Sequence, residues 1–443
     1  MVQGNTSTSF ASLLKRLYTK ETVADETYKD NPLYTMLPKK EDTSGADYTV
    51  PVIYSQGQGR SHTFTSAQAV GNVSGTQSAA FRQALVENWA DASISSALIL
   101  QSGNSEGAFL KAQMQVVPGQ LANLGKTLEF ECFGGGPYGQ IAAGSSVSLA
   151  SGTITFAVPQ QAFNFEEGMQ IVAAPTNSGT VTTRTPGSAL GGSGSAGANY
   201  LAATVGQVDR NAGTITIYTP AGVAVAANDS TNGISAALAA GDYLYAVGDV
   251  STTGNILSIT GVTSWIPYGG PAATGDSFTL NAINRAVDPV RLAGLWYNAS
   301  TVDTVQALIT GAAKVAEQGD HISHYFMTHM KFAALASSLV SKVSITDLRA
   351  TPGVGFQSID VVGTNGPIKV VPARACPPTT VLGLKLSEWE LASFRKAVFN
   401  WDLDNNTELR QATDGGIEFR FYSFANLWCH KPSANINMLV PAA

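Results

Sequence analysis

The chain has 443 residues, enough for about three average domains, and its 44% hydrophobic share excludes an intrinsically disordered chain. Only 13% of residues are charged, and 26 Lys and Arg against 32 Asp and Glu give a formal charge of −6, which excludes a strongly basic nucleic-acid reader. No apolar run approaches the roughly 18 residues of a membrane-crossing helix.

Residues 1–45 read as an arm. The first residues lack the basic start and apolar stretch of a signal peptide. Phe10, Leu13, Leu14 and Leu17 follow the i, i+3, i+4, i+7 spacing of an amphipathic helix, with Lys15, Arg16 and Lys20 on the other face. So short a helix is marginal alone and needs another surface for its apolar stripe. Pro32 and its neighbours then predict an extended connector.

Residues 46–80 predict a long hairpin: a strand at Tyr48–Tyr54, a turn at Ser55–Arg60, and a second strand resuming at Ser61–Thr65. It carries few large apolar groups beyond Val50, Val52, Ile53 and Phe64. A lone hairpin is unstable in water, so this one must lie on something else. Residues 81–101 read as one or two buried strands. Asn104 and Ser105 are good N-cap types, and a long helix is predicted over 104–132, with Pro118 as a kink or break.

Composition changes near residue 140. No lysine falls between Lys126 and Lys314, and Gly, Ser, Thr, Ala and Val dominate. Strand candidates recur at Gly152–Val158, Gly168–Val172, Gly213–Tyr218 and Asp242–Val247, with turn-like clusters between them. The pattern predicts an all-β, barrel-like domain at 141–265, with the Gly/Ser run at 191–197 as an exposed loop. Residues 266–300 read as a connector. Ser300 with Asp303 resembles a capping box before a helix carrying Val302, Val305, Leu308, Ile309 and Ala312. A strand at His324–Met327 leads to Thr328 as the N-cap of a helix over His329–Val340. Ile359–Val362 and Ile368–Val371 form a hairpin about Asn365 and Gly366, Val381–Leu391 is a further strand region, and Gly416–Phe424 alternates near the end.

Candidate chemistry is sparse. His321, His324 and His329 cluster in sequence, but no His-Glu-x-x-His and no nearby Cys complete a metal site. Asp402, Asp404 and Asn406 open like a calcium loop, yet Thr407 and Thr413 stand where Gly and Glu are required. Glu388 with Glu390, Glu129 with Glu131, and Glu166 with Glu167 are carboxylate pairs that nothing marks as catalytic. Glu388 and Glu390 read as edge-strand surface charge, with Trp389 opposite. No nucleophile elbow or phosphate loop occurs. Cys132, Cys376 and Cys429 are scattered and read as buried, unpaired structural thiols of a reducing compartment. The sequence thus predicts no catalytic, cofactor-binding or metal residues. Its unanchored arm, unsupported hairpin and low charge predict surfaces completed by other copies of the chain.

The order of elements, with the phrases Tyr28-Lys-Asp-Asn-Pro-Leu-Tyr, Gln56-Gly-Gln-Gly-Arg-Ser, Asn104-Ser-Glu-Gly-Ala-Phe-Leu, Asn164-Phe-Glu-Glu-Gly-Met and Val208-Asp-Arg-Asn-Ala-Gly-Thr-Ile-Thr, resembles the major capsid proteins of tailed bacteriophages. The resemblance implies the α+β Hong Kong-type capsid fold. Its parts would be an N-terminal arm (1–45), an extended loop (46–80), a peripheral domain with its spine helix (81–140), an inserted β-rich domain (141–265), a connector (266–300), an axial domain (301–395) and a return to the peripheral domain (396–443). It implies pentamers and hexamers that close an icosahedral virion shell made in the host bacterial cytoplasm. The implied partners are other copies, a portal protein, a separate scaffolding protein, a decoration protein, and packaged double-stranded DNA held without sequence specificity, with no membrane and no cofactor. Phe10, Leu13, Leu14, Leu17, Arg60 and His62 are the expected assembly contacts, and Arg60 at the hairpin tip is the expected charge contact between subunits. Some relatives weld their shells through a lysine. The absence of lysine between Lys40 and Lys111 argues against that here. Two rival readings are a tail-tube or surface-layer protein and, from another class, a polysaccharide-acting enzyme with an appended β-domain.

Overall fold

A computed structural model describes residues 31–41, 43, 45, 47–97, 100, 112–134, 136–142, 153–175, 203–218, 241–250, 256–271, 279–280, 283–340, 359–363, 366–395, 398–400, 409–410 and 415–441. The arm contacts Phe10, Leu13, Leu14 and Leu17, the start of the predicted long helix, the Gly/Ser run and the Asp402–Asn406 segment lie outside the described residues.

Three sheets carry the fold. The first centres on the 13-residue strand Ile417–Cys429, which pairs with Val86–Ile94, Trp389–Ser393, Phe399–Asn400 and Leu409–Arg410. Lys39–Lys40 adds in parallel to Trp389–Ser393. Alternation decides which face is buried. Ala92 and Ile94 point into the core with Phe419 and Phe421, while Glu87, Trp89 and Asp91 point away. The long helix Ala112–Phe133 packs on the core side through Val116, Leu124, Leu128 and Cys132. It runs through Pro118, so the predicted break does not occur.

The second sheet is a barrel. Its strands follow the path Gly139–Gln140, Tyr243–Ala246, Gln170–Ala174, Ala203–Asp209, Thr214–Tyr218 and Thr153–Thr155. An antiparallel bridge between Ile141 and Phe156 joins the two ends of this path, with Ala142 N donating to Thr155 O at 3.0 Å and Ala157 N to Gln140 O at 2.8 Å. Closure removes the exposed strand edges. The period-two run of Thr214–Tyr218 sends Ile215 and Ile217 inward, where they meet Ile141, Ile154, Phe165, Ile171, Val205 and Leu244. Gly213 turns two of the strands at a φ of +68°, and a Cβ there would lie 2.5 Å from Pro159 Cα.

The third sheet runs in the order Leu295–Asn298, Ile436–Leu439, Thr380–Leu384, His324–Met327, Gly366–Pro372, Ile359–Gly363. Helix Thr304–Glu317 packs on it through Ala307, Leu308, Ala312 and Val315. Helix His329–Val340 follows Thr328, whose hydroxyl accepts from Lys331 N at 3.4 Å.

Several expectations are corrected. The second hairpin strand does not resume at Ser61. Phe64–Val73 is a helix, and the return strand is Gln77–Ala84. No extended connector follows Asn31: Pro32–Met36 is a short helix, with Pro32 in its first turn, where the missing N–H costs nothing. The Ser300–Asp303 capping box does not form. Asp303 makes no side-chain cap bond, and Ser300 bonds Asn298 Oδ1 instead. Val381–Leu391 is split between two sheets, since Thr380–Leu384 joins the third and Trp389–Ser393 the first. Trp389–Ser393 lies between two neighbours and is no edge strand.

Candidate functional site

Strands Asp47–Ser55 and Gln77–Ala84 pair antiparallel from Asp47 opposite Ala84 to Ser55 opposite Gln77. Nine residues at ~3.3 Å each make a ribbon of about 30 Å. One face lies on the main core: Val50 and Phe81 are buried, and Tyr48, Val52, Tyr54 and Ala79 pack half-buried beside them. Val50 and Phe81 face each other there, and Phe81 packs edge-on against Trp265 at 5.0 Å between ring centroids. Arg291 donates from its guanidinium to Tyr54 O and holds the ribbon to the body near its far end.

The far end is self-contained. Helix Phe64–Val73 buries none of its side chains. Ser74 Oγ donates to Val70 O at 2.8 Å and accepts from Gln58 N at 3.0 Å, tying the loop to the helix end. Gly59 crosses Gly71 so closely that a Cβ on Gly59 would sit 3.1 Å from Gly71 Cα. Arg60 and His62 are exposed on this loop. Phe64 is 81% and Val73 88% exposed, and Ile53 is exposed on the ribbon below them. The tip thus holds its own shape while leaving a phenylalanine exposed.

The other distinctive region is the junction of the long helix and the barrel. Glu129 is buried and accepts from Leu33 N at 3.0 Å and from Tyr34 N, capping helix Pro32–Met36. Glu131, 2% exposed, accepts from Asn88 Nδ2 at 2.9 Å and Ile259 N at 3.3 Å. Burial pushes its carboxyl up to about 7 against the pull of those hydrogen bonds. Burial, then the charge of Glu131, pushes Asp249 up to about 7 as well. Lys126 and Arg210 meet Glu166 at 2.6 and 2.7 Å. Burial pushes Glu166 up, but the two cations outweigh it and hold it below its ordinary value.

Of the carboxylates singled out in the sequence, Glu129, Glu131, Glu166, Glu388 and Glu390 are engaged in holding the fold. Glu388 meets Lys385 at 3.0 Å, and Glu390 meets His430 at 3.2 Å. His324 Nδ1 lies 2.9 Å from Ser323 Oγ, and burial, then Lys369, lowers its pKa. Among the described residues no group of three His, Cys, Asp or Glu is placed to hold a metal ion. Cys132, Cys376 and Cys429 are buried free thiols whose pKa values burial raises. No helix among the described residues is long and apolar enough to cross a membrane. Sequence reading missed the tip helix, which lacks an apolar stripe. It also missed the burial of Glu131 against Asn88 and Ile259, which are far from it in the chain.

No protein-family model and no curated protein matches the sequence. Among solved structures, a chain of the cyanophage A-1(L) capsid asymmetric unit is similar over 98% of each chain, at 10% identity and a TM-score of 0.55. The capsid of the native GTA particle is 8% identical with a TM-score of 0.45, and Mycobacterium phage Bobi 10% with 0.43, each over 99% of both chains. The cyanophage match carries the assignment of the α+β Hong Kong-type capsid fold that the sequence resembles.

Proposed function

We propose that this chain is the major capsid protein of a tailed phage, forming pentamers and hexamers that close an icosahedral shell around double-stranded DNA. The observation that carries the reading is the projecting ribbon. It is anchored at Phe81, buries nothing at its helical tip and exposes Phe64, Val73, Arg60 and His62, on a fold shared with a cyanophage capsid subunit. A monomer gains nothing from such a tip, whereas a closed shell uses one on every subunit to grip a neighbour. Arg60 and His62 are the polar contacts of that grip, and the arm residues Phe10, Leu13, Leu14 and Leu17 supply a second one. The barrel is read as an insertion between the long helix and helix Val262–Trp265. A portal protein, a scaffolding protein and a decoration protein are the further partners in this reading, and the virion shell is its location. The protein's task is then structural rather than enzymatic.

The test is expression of the full chain, alone and with candidate scaffold, followed by negative-stain electron microscopy. Closed shells or five- and six-membered rings are expected, and Arg60→Glu should lower their yield. Tubes or flat sheets would replace this reading with a tail or surface-layer role.

A further inference from the structure

Between the long helix Ala112–Phe133, the strand Val86–Ile94 and the barrel lies an open cleft of about 810 Å³. Its apolar walls include Leu124, Phe130, Met169 and the half-exposed ring of Trp89. Its charged lining is five carboxyls against two cations, Lys126 and Arg374. Two of the carboxyls are occupied. Glu129 holds the amides of Leu33 and Tyr34, and Glu166 holds Lys126 and Arg210. The other three, Asp91, Glu167 and Asp249, carry no ion pair among the described residues. Arg420, opposite Asp91 across the strand pair, is taken by Glu418. The cleft thus sets unneutralised negative charge beside apolar surface, which complements a cationic amphipathic segment.

Such a segment starts at the cleft itself. Asn31 lines it and lies against the long helix, where a Cβ on Gly125 would sit 3.2 Å from Asn31 Nδ2. The thirty residues before Asn31 therefore leave from the cleft wall. The first twenty carry Lys15, Arg16 and Lys20 and no acidic residue, with Phe10, Leu13, Leu14 and Leu17 at amphipathic spacing. The next ten hold Glu21, Asp25, Glu26 and Asp30, which the charge of the cleft repels. Ten residues reach about 35 Å when extended, enough for residues 10–20 to fold back over the cleft. As a helix those residues are about 16 Å long.

We propose that in the dissociated subunit this cleft is the seat of the chain's own residues 10–20, with their apolar stripe on Leu124, Phe130 and Met169 and their basic groups toward Asp91, Glu167 and Asp249. Residues 21–30 serve as the tether. The tether favours the same chain over a second copy, since a short connector sets an effective concentration of around millimolar, far above that of subunits in dilute solution. The inference deepens the assembly reading, in which the arm grips a neighbour. An arm seated at home hides its apolar stripe and must leave its own cleft before it can do so.

Trypsin acting on the dissociated full-length subunit tests the docking at Lys15 and Arg16, because cleavage of a closed segment follows its open population. The subunit should be cut there at least about tenfold more slowly than a synthetic peptide of residues 1–30, by a ratio that does not change with protein concentration. Asp91→Lys with Glu167→Lys, both exposed positions, should return cutting to near the peptide rate while the subunit's melting temperature holds. Leu13→Asp with Leu17→Asp should do the same from the side of the arm, and serves should the cleft variant fail to fold. Cutting as fast as in the peptide, or protection that survives in either folded variant, would overturn the proposal. Protection that grows with protein concentration would also overturn it, by placing the arm on another copy. Every readout is taken on the dissociated subunit, so none depends on whether the protein goes on to close a shell.

Discussion

Replacing Phe64 with Ser separates assembly from folding. The ring is 81% exposed and the tip helix buries no side chain, so the isolated subunit loses almost no packing. Its unfolding free energy should change by no more than about 0.5 kcal/mol. If a neighbouring subunit covers the ring, burial of a phenylalanine is worth about 1.5–3 kcal/mol per contact. That converts to about ten- to a hundredfold in the affinity of each contact. The half-assembly concentration, followed by light scattering or sedimentation, should rise accordingly while the melting temperature of the dissociated subunit stays put. Phe64→Leu should restore most of the loss, since it returns apolar area. An unchanged assembly threshold would refute the argument that the tip is an interface. A large fall in subunit melting temperature would refute it differently, by showing that Phe64 packs within its own chain.

Phe81 offers the opposite balance. It is fully buried against Trp265, so Phe81→Ala should cost about 3–5 kcal/mol in chemical denaturation of the subunit. In the barrel, Gly213→Ala must hold a side chain at a φ of +68° and push against the Pro159 backbone, so it should destabilise by at least about 1–3 kcal/mol in thermal melts. Asp320 is bonded by Lys385 at 2.8 Å and by Lys431. Burial pushes its carboxyl up, but those lysines outweigh burial and hold it below its ordinary value of 3.8. Its contribution is therefore present above about pH 4 and lost as pH falls through the lowered value, so Asp320→Asn should flatten the acid arm of the stability–pH curve. An acid arm as steep as that of the parent chain would count against the linkage.

What could be read from sequence alone was what neighbours along the chain decide. Thr328 followed by the helix His329–Val340, the strand His324–Met327 and the Ile359–Gly363 and Gly366–Pro372 hairpin follow from local periodicity and turn chemistry. The alternating Thr214–Tyr218 run likewise announces a strand with one buried face. The projecting ribbon was legible as a segment with too little apolar surface to stand alone. Its tip helix was not, because a helix that buries nothing carries no apolar stripe to recognise. Tertiary structure alone decided that Trp389–Ser393 pairs with Ile417–Cys429 while the adjoining Thr380–Leu384 pairs elsewhere, since strand partners are chosen by long-range packing. It also closed the barrel through a bridge between Ile141 and Phe156, and it buried Glu131 against Asn88 and Ile259. The sequence shows an ordinary carboxylate there. Burial, which no spacing along the chain encodes, is what pushes its pKa up.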